Sequence, residues 1–258
     1  MAEWSRSEEP KGVFAKTDEV IMDSYSKMPQ TDCNHCAVRV LSSFCGELKP
    51  HETDLFMKMK RAHLYEKNDT IFYEGTASTG IYILCSGSVK LIQSSKSGKQ
   101  QILSVVSPGE LIEKSLLFHS GRHSTTAQTL ERSEVSFFYR DAFMEVLKSN
   151  NHLAMNLIKT LSREVENVQE RTRQILFKSA KERLAETLLT LGRKHGARRD
   201  RDIAIDLELK REELAEMIGV EPETVVRLLA LLKKEKLIRM DGRKIHITDE
   251  EKLIQLSD

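Results

Sequence analysis

Two apolar-periodic runs meet at Gly219-Val220-Glu221-Pro222. A glycine there permits a left-handed turn, and a proline is tolerated only in the first turn of a helix. The spacing therefore predicts two short helices joined tightly at Gly219. One runs from Arg211 to Ile218; the other has Pro222 in its first turn and continues to Leu228 and Leu229. Leu214, Ile218, Val225 and Leu228 fall at core positions. Glu223, Val226 and Arg227 lie on neighbouring turns near the second helix's N-terminus. A helix that enters a major groove presents its side chains to base edges in this way.

Further on, Leu237-Ile238-Arg239-Met240 and Lys244-Ile245-His246-Ile247 flank Asp241-Gly242. An Asp-Gly between alternating runs is a hairpin signal. A helix pair followed by a hairpin makes a winged helix. Net charge is only +1, but basic side chains cluster at 193–201, 233–236 and 239–244. Where the charge sits matters more than the sum. The segment 193–201 reads as a basic loop after a helix. Arg227 has the planar fork that bonds O6 and N7 of guanine, and Glu223 can accept from cytosine N4. Val226 suits contact with a thymine methyl. Thr224, Lys210, Arg211, Arg243 and Lys244 are assigned to phosphate. Two of these have a plainer alternative: Arg211 and Lys244 as solvated charges. Glu223 and Arg227 also form an ordinary i,i+4 helix pair.

Upstream the period changes. From His63 to about Phe138, short apolar alternations such as 70–73, 81–85, 89–92 and 102–106 are separated by turn residues. That pattern indicates an antiparallel roll or barrel. From about Asn151 to Leu176 no glycine or proline interrupts the chain. Ala154, Ile158, Leu161, Val165, Val168, Thr172 and Ile175 recur at steps of 4 and 3. This is a heptad seam with Thr172 as its one polar member, and it predicts a long helix pairing with its twin across a dimer axis. The bland reading is a helix packed on its own domain.

Residues 1–30 are polar and aperiodic. Cys33, Cys36 and Cys45 then fall within thirteen residues, and Cys85 is the only other cysteine. Clustered thiols in a cytosolic chain favour metal or redox chemistry over structural disulfides. No long apolar span and no signal pattern is present, so a cytoplasmic location without membrane attachment is expected. No nucleophile, base and orienting acid cluster at motif spacing, which argues against an enzyme. His119, His123 and Arg122 form a basic knot read as a surface turn.

Roll, long helix and winged helix, in that order, resemble the Crp/Fnr family of bacterial transcription regulators. The resemblance spans about residues 45–250. It is carried by Ile81-Tyr82-Ile83-Leu84-Cys85-Ser86-Gly87-Ser88-Val89, by Ala180-Lys181-Glu182-Arg183-Leu184-Ala185, and by Gly219 to Arg227. It implies an α+β chain in four parts: a cysteine-bearing segment (1–47), a β-roll sensor domain resembling cyclic-nucleotide-binding domains (48–150), a dimerisation helix (151–178) and a winged helix-turn-helix DNA-binding domain (179–258). It also implies a homodimer, a palindromic double-stranded operator and contact with RNA polymerase. Pro222 stands where the cyclic-AMP-responsive branch carries an additional Arg, and Val226 where the oxygen-sensing branch carries Ser.

The same resemblance bears on the signal. Glu113 and Lys114 occupy the place of a Gly-Glu pair that meets the ribose, and Ser124 and Thr125 that of an Arg-Ser pair that meets the phosphate. These replacements argue against cyclic AMP, unless Arg122 reaches the phosphate instead. Cys33, Cys36 and Cys45 stand where the oxygen-sensing branch holds three ligands of a [4Fe–4S] cluster, although the gap from Cys36 to Cys45 is longer. Ser136 takes the place of the fourth ligand. Cys85, His35, His51 and an exogenous group are the candidates to replace it; the plainer reading of Cys85, on the same side of its strand as Ile81 and Ile83, is a packed small apolar residue. The expected function is thus a regulator sensing redox state, oxygen or nitric oxide through its cysteines, as a cluster or as thiols. The alternatives are a small-molecule ligand in the roll without metal, and cysteines with no sensing role. In the oxygen-sensing branch one seam position carries an acid; here it is Val168, so the dimer is expected to persist without ligand.

Overall fold

The computed structural model describes residues 46, 48–113, 121–199 and 202–257; Cys33, Cys36, Cys45, His35 and His119 lie outside them. Among the described residues a short helix, α1 (Pro50–Met59), precedes eight strands: β1 (Arg61–Tyr65), β2 (Thr70–Phe72), β3 (Gly80–Ser86), β4 (Val89–Ser94), β5 (Gln100–Val106), β6 (Leu111–Ile112), β7 (Thr126–Thr129) and β8 (Ser133–Tyr139). They form two antiparallel sheets, ordered β1-β8-β3-β6 and β2-β7-β4-β5. Apolar residues on their inner faces close two neighbouring cores, one around Ile81, Ile83, Leu111 and Phe138 and one around Phe72, Leu84, Val89 and Val135. This is the roll. At Gly87 the chain reverses with φ +84°, and a Cβ there would sit 2.3 Å from Ser133 Oγ, so only glycine makes this turn. Pairing of β3 with β8 slips between Leu84 and Ser86, which leaves Cys85 in a bulge. His123, expected on the surface, is 4 % exposed and stacks on Phe72 with ring centroids 3.8 Å apart.

Two helices follow the roll, α2 (Arg140–Ser149) and α3 (Asn151–Phe177). The cap between them is Asn150, whose side chain accepts from Leu153 N–H and donates to the buried carboxylate of Glu52 on α1. With 27 residues, α3 is about 40 Å long. Its start packs on the roll through Leu153 and Leu157. Further along, Arg171 donates to the carbonyl of Ile102 on β5 at 3.2 Å.

The rest of the chain is one α/β unit: α4 (Ala180–His195), β9 (Gly196–Arg199), β10 (Asp202–Ile205), α5 (Arg211–Ile218), α6 (Pro222–Lys234), β11 (Ile238–Asp241), β12 (Lys244–Ile247) and α7 (Glu250–Ser257). Its sheet runs β11-β12-β10-β9. The expected basic loop is in part a strand: β9 pairs with β10, Ala197 opposite Ala204. The hairpin register is one residue later than the Asp-Gly signal suggests. Asp241 pairs with Lys244, so Gly242-Arg243 is the loop. Gly242, with φ +58°, supplies the positive φ that a mirror-image hairpin turn needs at its first central position.

Candidate nucleic-acid interface

The helix pair is built locally. The carboxylate of Glu213 accepts the N–H of Lys210 at 2.8 Å, which caps the start of α5. At its end Gly219 is left-handed (φ 69°, ψ 45°) and donates to the carbonyl of Ala215, as does Val220. That is a glycine C-cap, and it aims the chain at Pro222 in the first turn of α6. Val225, Leu228, Leu229 and Leu232 are buried against α4 and α5. The opposite face carries Glu223, Val226 and Arg227, all exposed, with Val226 at 53 %. Thr224 is half-buried. No hydrogen bond or ion pair joins Glu223 to Arg227. Both side chains are therefore turned to solvent at the N-terminal, electropositive end of a helix.

The cations assigned to phosphate divide. Lys210, Arg243 and Lys244 are exposed, the last two at the β11–β12 turn. Arg211 is half-buried, and its Nη1 has no partner among the described residues.

Contacts that sequence reasoning did not find fix the pair's position. Arg183, in the first turn of α4, donates from Nε to the carbonyl of Ile218 at 3.0 Å and from Nη1 to that of Lys178 at 2.8 Å. It thus ties the end of α5 to the link after α3. Lys181 reaches Glu235, the C-cap of α6, at 2.7 Å. From the roll, Lys90 Nζ meets the second oxygen of Glu213 at 2.8 Å, with both side chains over nine-tenths buried. Lys99 pairs with Glu221, the N-cap of α6, in the open. Val105 and Leu130 of the roll pack on the same core as the helix pair. Beside these contacts lies a cleft of about 570 Å³ between the β4–β5 hairpin and the helix pair. The reading of Glu213 as a cap was available from its spacing to Lys210. Its partner Lys90 lies 123 residues away in the chain, and no local pattern announces such a pair.

The seam of α3 is open. Ile158, Val165, Val168 and Ile175 are each more than half exposed. Thr172 is also exposed and turns its hydroxyl onto the carbonyl of Val168 at 2.9 Å, which satisfies the one polar member of the row within its own helix. Leu161 differs: it packs partly on the roll core beside Leu157.

Of the candidate metal ligands, only Cys85 and His51 lie among the described residues. Cys85 Sγ is 3.0 Å from Ser136 Oγ on β8. His51 is exposed at the start of α1. Among the described residues no three His, Cys, Asp or Glu side chains are grouped to hold a metal. Arg122 does not turn inward to meet a phosphate; it donates to the carbonyl of Gly75 at 2.7 Å, at the surface.

Comparison with known proteins agrees with this architecture. The family described as "Cyclic nucleotide-binding domain" matches residues 62–150, and "Crp-like helix-turn-helix domain" matches 182–256. The chain is 27 % identical over 202 residues to a cyclic AMP receptor protein of Thermus thermophilus, covering 78 % of this chain and 90 % of that one. It is 28 % identical over 226 residues to an anaerobic regulatory protein of Pasteurella multocida, covering 86 % and 82 %. The structure of FixK2 from Bradyrhizobium japonicum has the same fold, with a TM-score of 0.69 at 21 % identity over 77 % of this chain and 98 % of that one. Such relatives are regulators, not enzymes. With both the sensor-type roll and the DNA-binding domain matched, the chain belongs to the Crp/Fnr family of DNA-binding transcription regulators.

Proposed function

We propose that this regulator acts as a homodimer on palindromic DNA and takes its signal, redox state, oxygen or nitric oxide, at its cysteines. Arg227 and Glu223 read bases and Val226 packs on a thymine methyl. Thr224, Lys210, Arg211, Arg243 and Lys244 hold phosphates, and the open row on α3 meets its twin. RNA polymerase is the further partner and the cytoplasm the location.

One observation carries the choice of signal. Ser136 stands where the fourth cluster ligand is expected, and Cys85 presents its thiol 3.0 Å from the Ser136 hydroxyl across the neighbouring strand. The pairing register shifts at Cys85, and a bulge is a place where a strand can turn a side chain from its regular direction. The missing thiolate is replaced from the next strand rather than lost. Cys33, Cys36, Cys45 and Cys85 together give four soft ligands, the donor set a [4Fe–4S] cluster takes. When bound, such a cluster would supply a centre that oxygen or nitric oxide attacks. The protein's part is to hold the thiolates and to pass the change to the roll. The match to the anaerobic regulatory protein gives support of another kind. Its 226 residues are more than 48–258 can supply, so it takes in part of the cysteine-bearing segment.

Anaerobic purification with iron and acid-labile sulfide assays tests this. Roughly four irons and four sulfides per subunit are expected, falling sharply in Cys85→Ser. An iron-free wild-type protein that still binds DNA would overturn the cluster. Full loading in Cys85→Ser would overturn the fourth ligand alone.

A further inference from the structure

The carboxylate of Glu113, a residue that the resemblance places opposite the ribose, is buried in the roll. Glu113 follows β6 with φ +52°, in the left-handed region that a side chain with a Cβ rarely adopts. Its side chain is 4 % exposed. One carboxylate oxygen accepts from the backbone N–H of Ser124 at 2.5 Å and from Ser124 Oγ at 2.7 Å. The other accepts from Nδ1 of His123, itself 3 % exposed at the side chain. Aromatic rings close the surroundings. Phe72 stacks on His123, and Tyr82 lies 6.2 Å from it, ring to ring. The Tyr82 phenol is held above its ordinary value, first by burial and then by the negative charge of Glu113.

Two unfavourable features therefore coincide at one residue: a non-glycine backbone in the left-handed region and a carboxylate taken out of water. What they obtain is specific. A peptide N–H, a hydroxyl and an imidazole N–H converging on two oxygens are the donors a protein turns on a bound phosphate or carboxylate. The domain that holds them is matched as a cyclic nucleotide-binding domain over residues 62–150.

We propose that Glu113 is an internal anion: its carboxylate occupies the roll's anion position, and it is the residue that determines the roll's specificity by barring a phosphate-bearing ligand. A phosphate approaching Ser124 meets a fixed negative charge and donors already engaged. The nearby guanidinium that could attract it, Arg122, is bonded to Gly75 at the surface. The tethered carboxylate also fastens the end of β6 to the residues before β7, a connection that an external ligand would otherwise have to make. This role of Glu113 involves the roll alone and is the same whether or not the cysteines carry a cluster.

Calorimetry and thermal melting of the full chain test it, with inorganic phosphate and cyclic AMP as probes. Wild type is expected to give no saturable heat and no melting shift with either probe. Glu113→Gly removes the charge and suits the backbone. It is expected to gain a melting-temperature rise that saturates with phosphate and is absent in wild type. Glu113→Gln, which keeps the size and loses the charge, is expected to gain a smaller rise and serves if the glycine variant does not fold. Saturable binding of either probe to wild type overturns the proposal. So does a folded Glu113→Gly or Glu113→Gln protein that phosphate does not stabilise.

Discussion

In the roll, the carboxylate of Glu113 is buried and both of its oxygens are filled by neighbours in the same chain. On α6, the carboxylate of Glu223 faces solvent, and the guanidinium one turn away does not bond it. The same functional group is closed in one place and open in the other. A closed polar group has already exchanged water for protein, so removing its partner leaves a desolvated charge and costs stability. An open group keeps its water until a partner arrives, so removing it costs binding and little else. This rule divides the molecule. Glu113–His123, Lys90–Glu213 and Arg183 are closed. Glu223, Val226, Arg227 and the outer row of α3 are open.

The largest expected effect lies at the closed pair that joins the two regions. Lys90→Met leaves Glu213 buried with only its cap to Lys210. Breaking a buried pair from one side costs about 3–5 kcal/mol, read as a lower melting temperature. Lys90→Met combined with Glu213→Gln is expected to recover part of that loss, since the uncompensated charge is gone. If Lys90→Met melts like wild type, the pair is not closed in solution and the contrast fails at its centre.

Next in size comes the open row of α3. Val168→Asp is expected to leave the melting of the separate subunit unchanged and to loosen the dimer. Losing burial of a valine costs about 1.5–3 kcal/mol per subunit, and the two carboxylates would also repel. Unchanged sedimentation at micromolar concentration would show that Val168 is not at the seam. Arg227→Ala follows. The loss of one bidentate contact to guanine is worth about 1–3 kcal/mol of discrimination. Affinity for the operator should fall toward that for random DNA while the melting temperature stays put. Equal weakening on both DNAs would make Arg227 a phosphate contact instead.

The division between closed and open also explains which parts could be read from sequence. Open surfaces leave periodic traces. Ile158, Val165, Val168 and Ile175 show as a repeat in the sequence because all four lie on one exposed face of a long helix, and Gly219 with Pro222 marks a turn whose dihedral angles few residues can supply. The roll's strands show in their alternation, since one face of each is buried. Closed polar contacts leave no such trace. Lys90 and Glu213 are ordinary residues of a strand and a helix until the fold brings them together. His123 read as surface because its partner lay ten residues earlier in a turn. The β9 strand, Gly196-Ala197-Arg198-Arg199, has no alternation at all; its pairing to β10 is imposed by the sheet. α7 is only eight residues long and follows a hairpin that already completes the pattern.

The smallest effect is expected where the two regions touch through a titrating group. His195, the last residue of α4, lies against the roll with Nε2 3.4 Å from Ser107 Oγ. Its imidazole is held below the ordinary value, first by burial and then by the neighbouring Lys194, against the opposing pull of Glu131 and Glu110. The folded protein therefore binds this proton less readily than the unfolded chain. The contribution is fully present above the unfolded imidazole value of about 6.5 and is lost as pH falls below it. His63, also held low by burial, acts in the same direction. The difference between wild type and His195→Gln isolates the first. Glutamine can still meet Ser107 and cannot take up a proton. The variant's melting temperature should fall less than that of wild type as pH drops from 7.5 to about 5.5, the window set by an imidazole. Parallel pH profiles would place His195 in water, and this edge of the interface would then belong with the open surfaces.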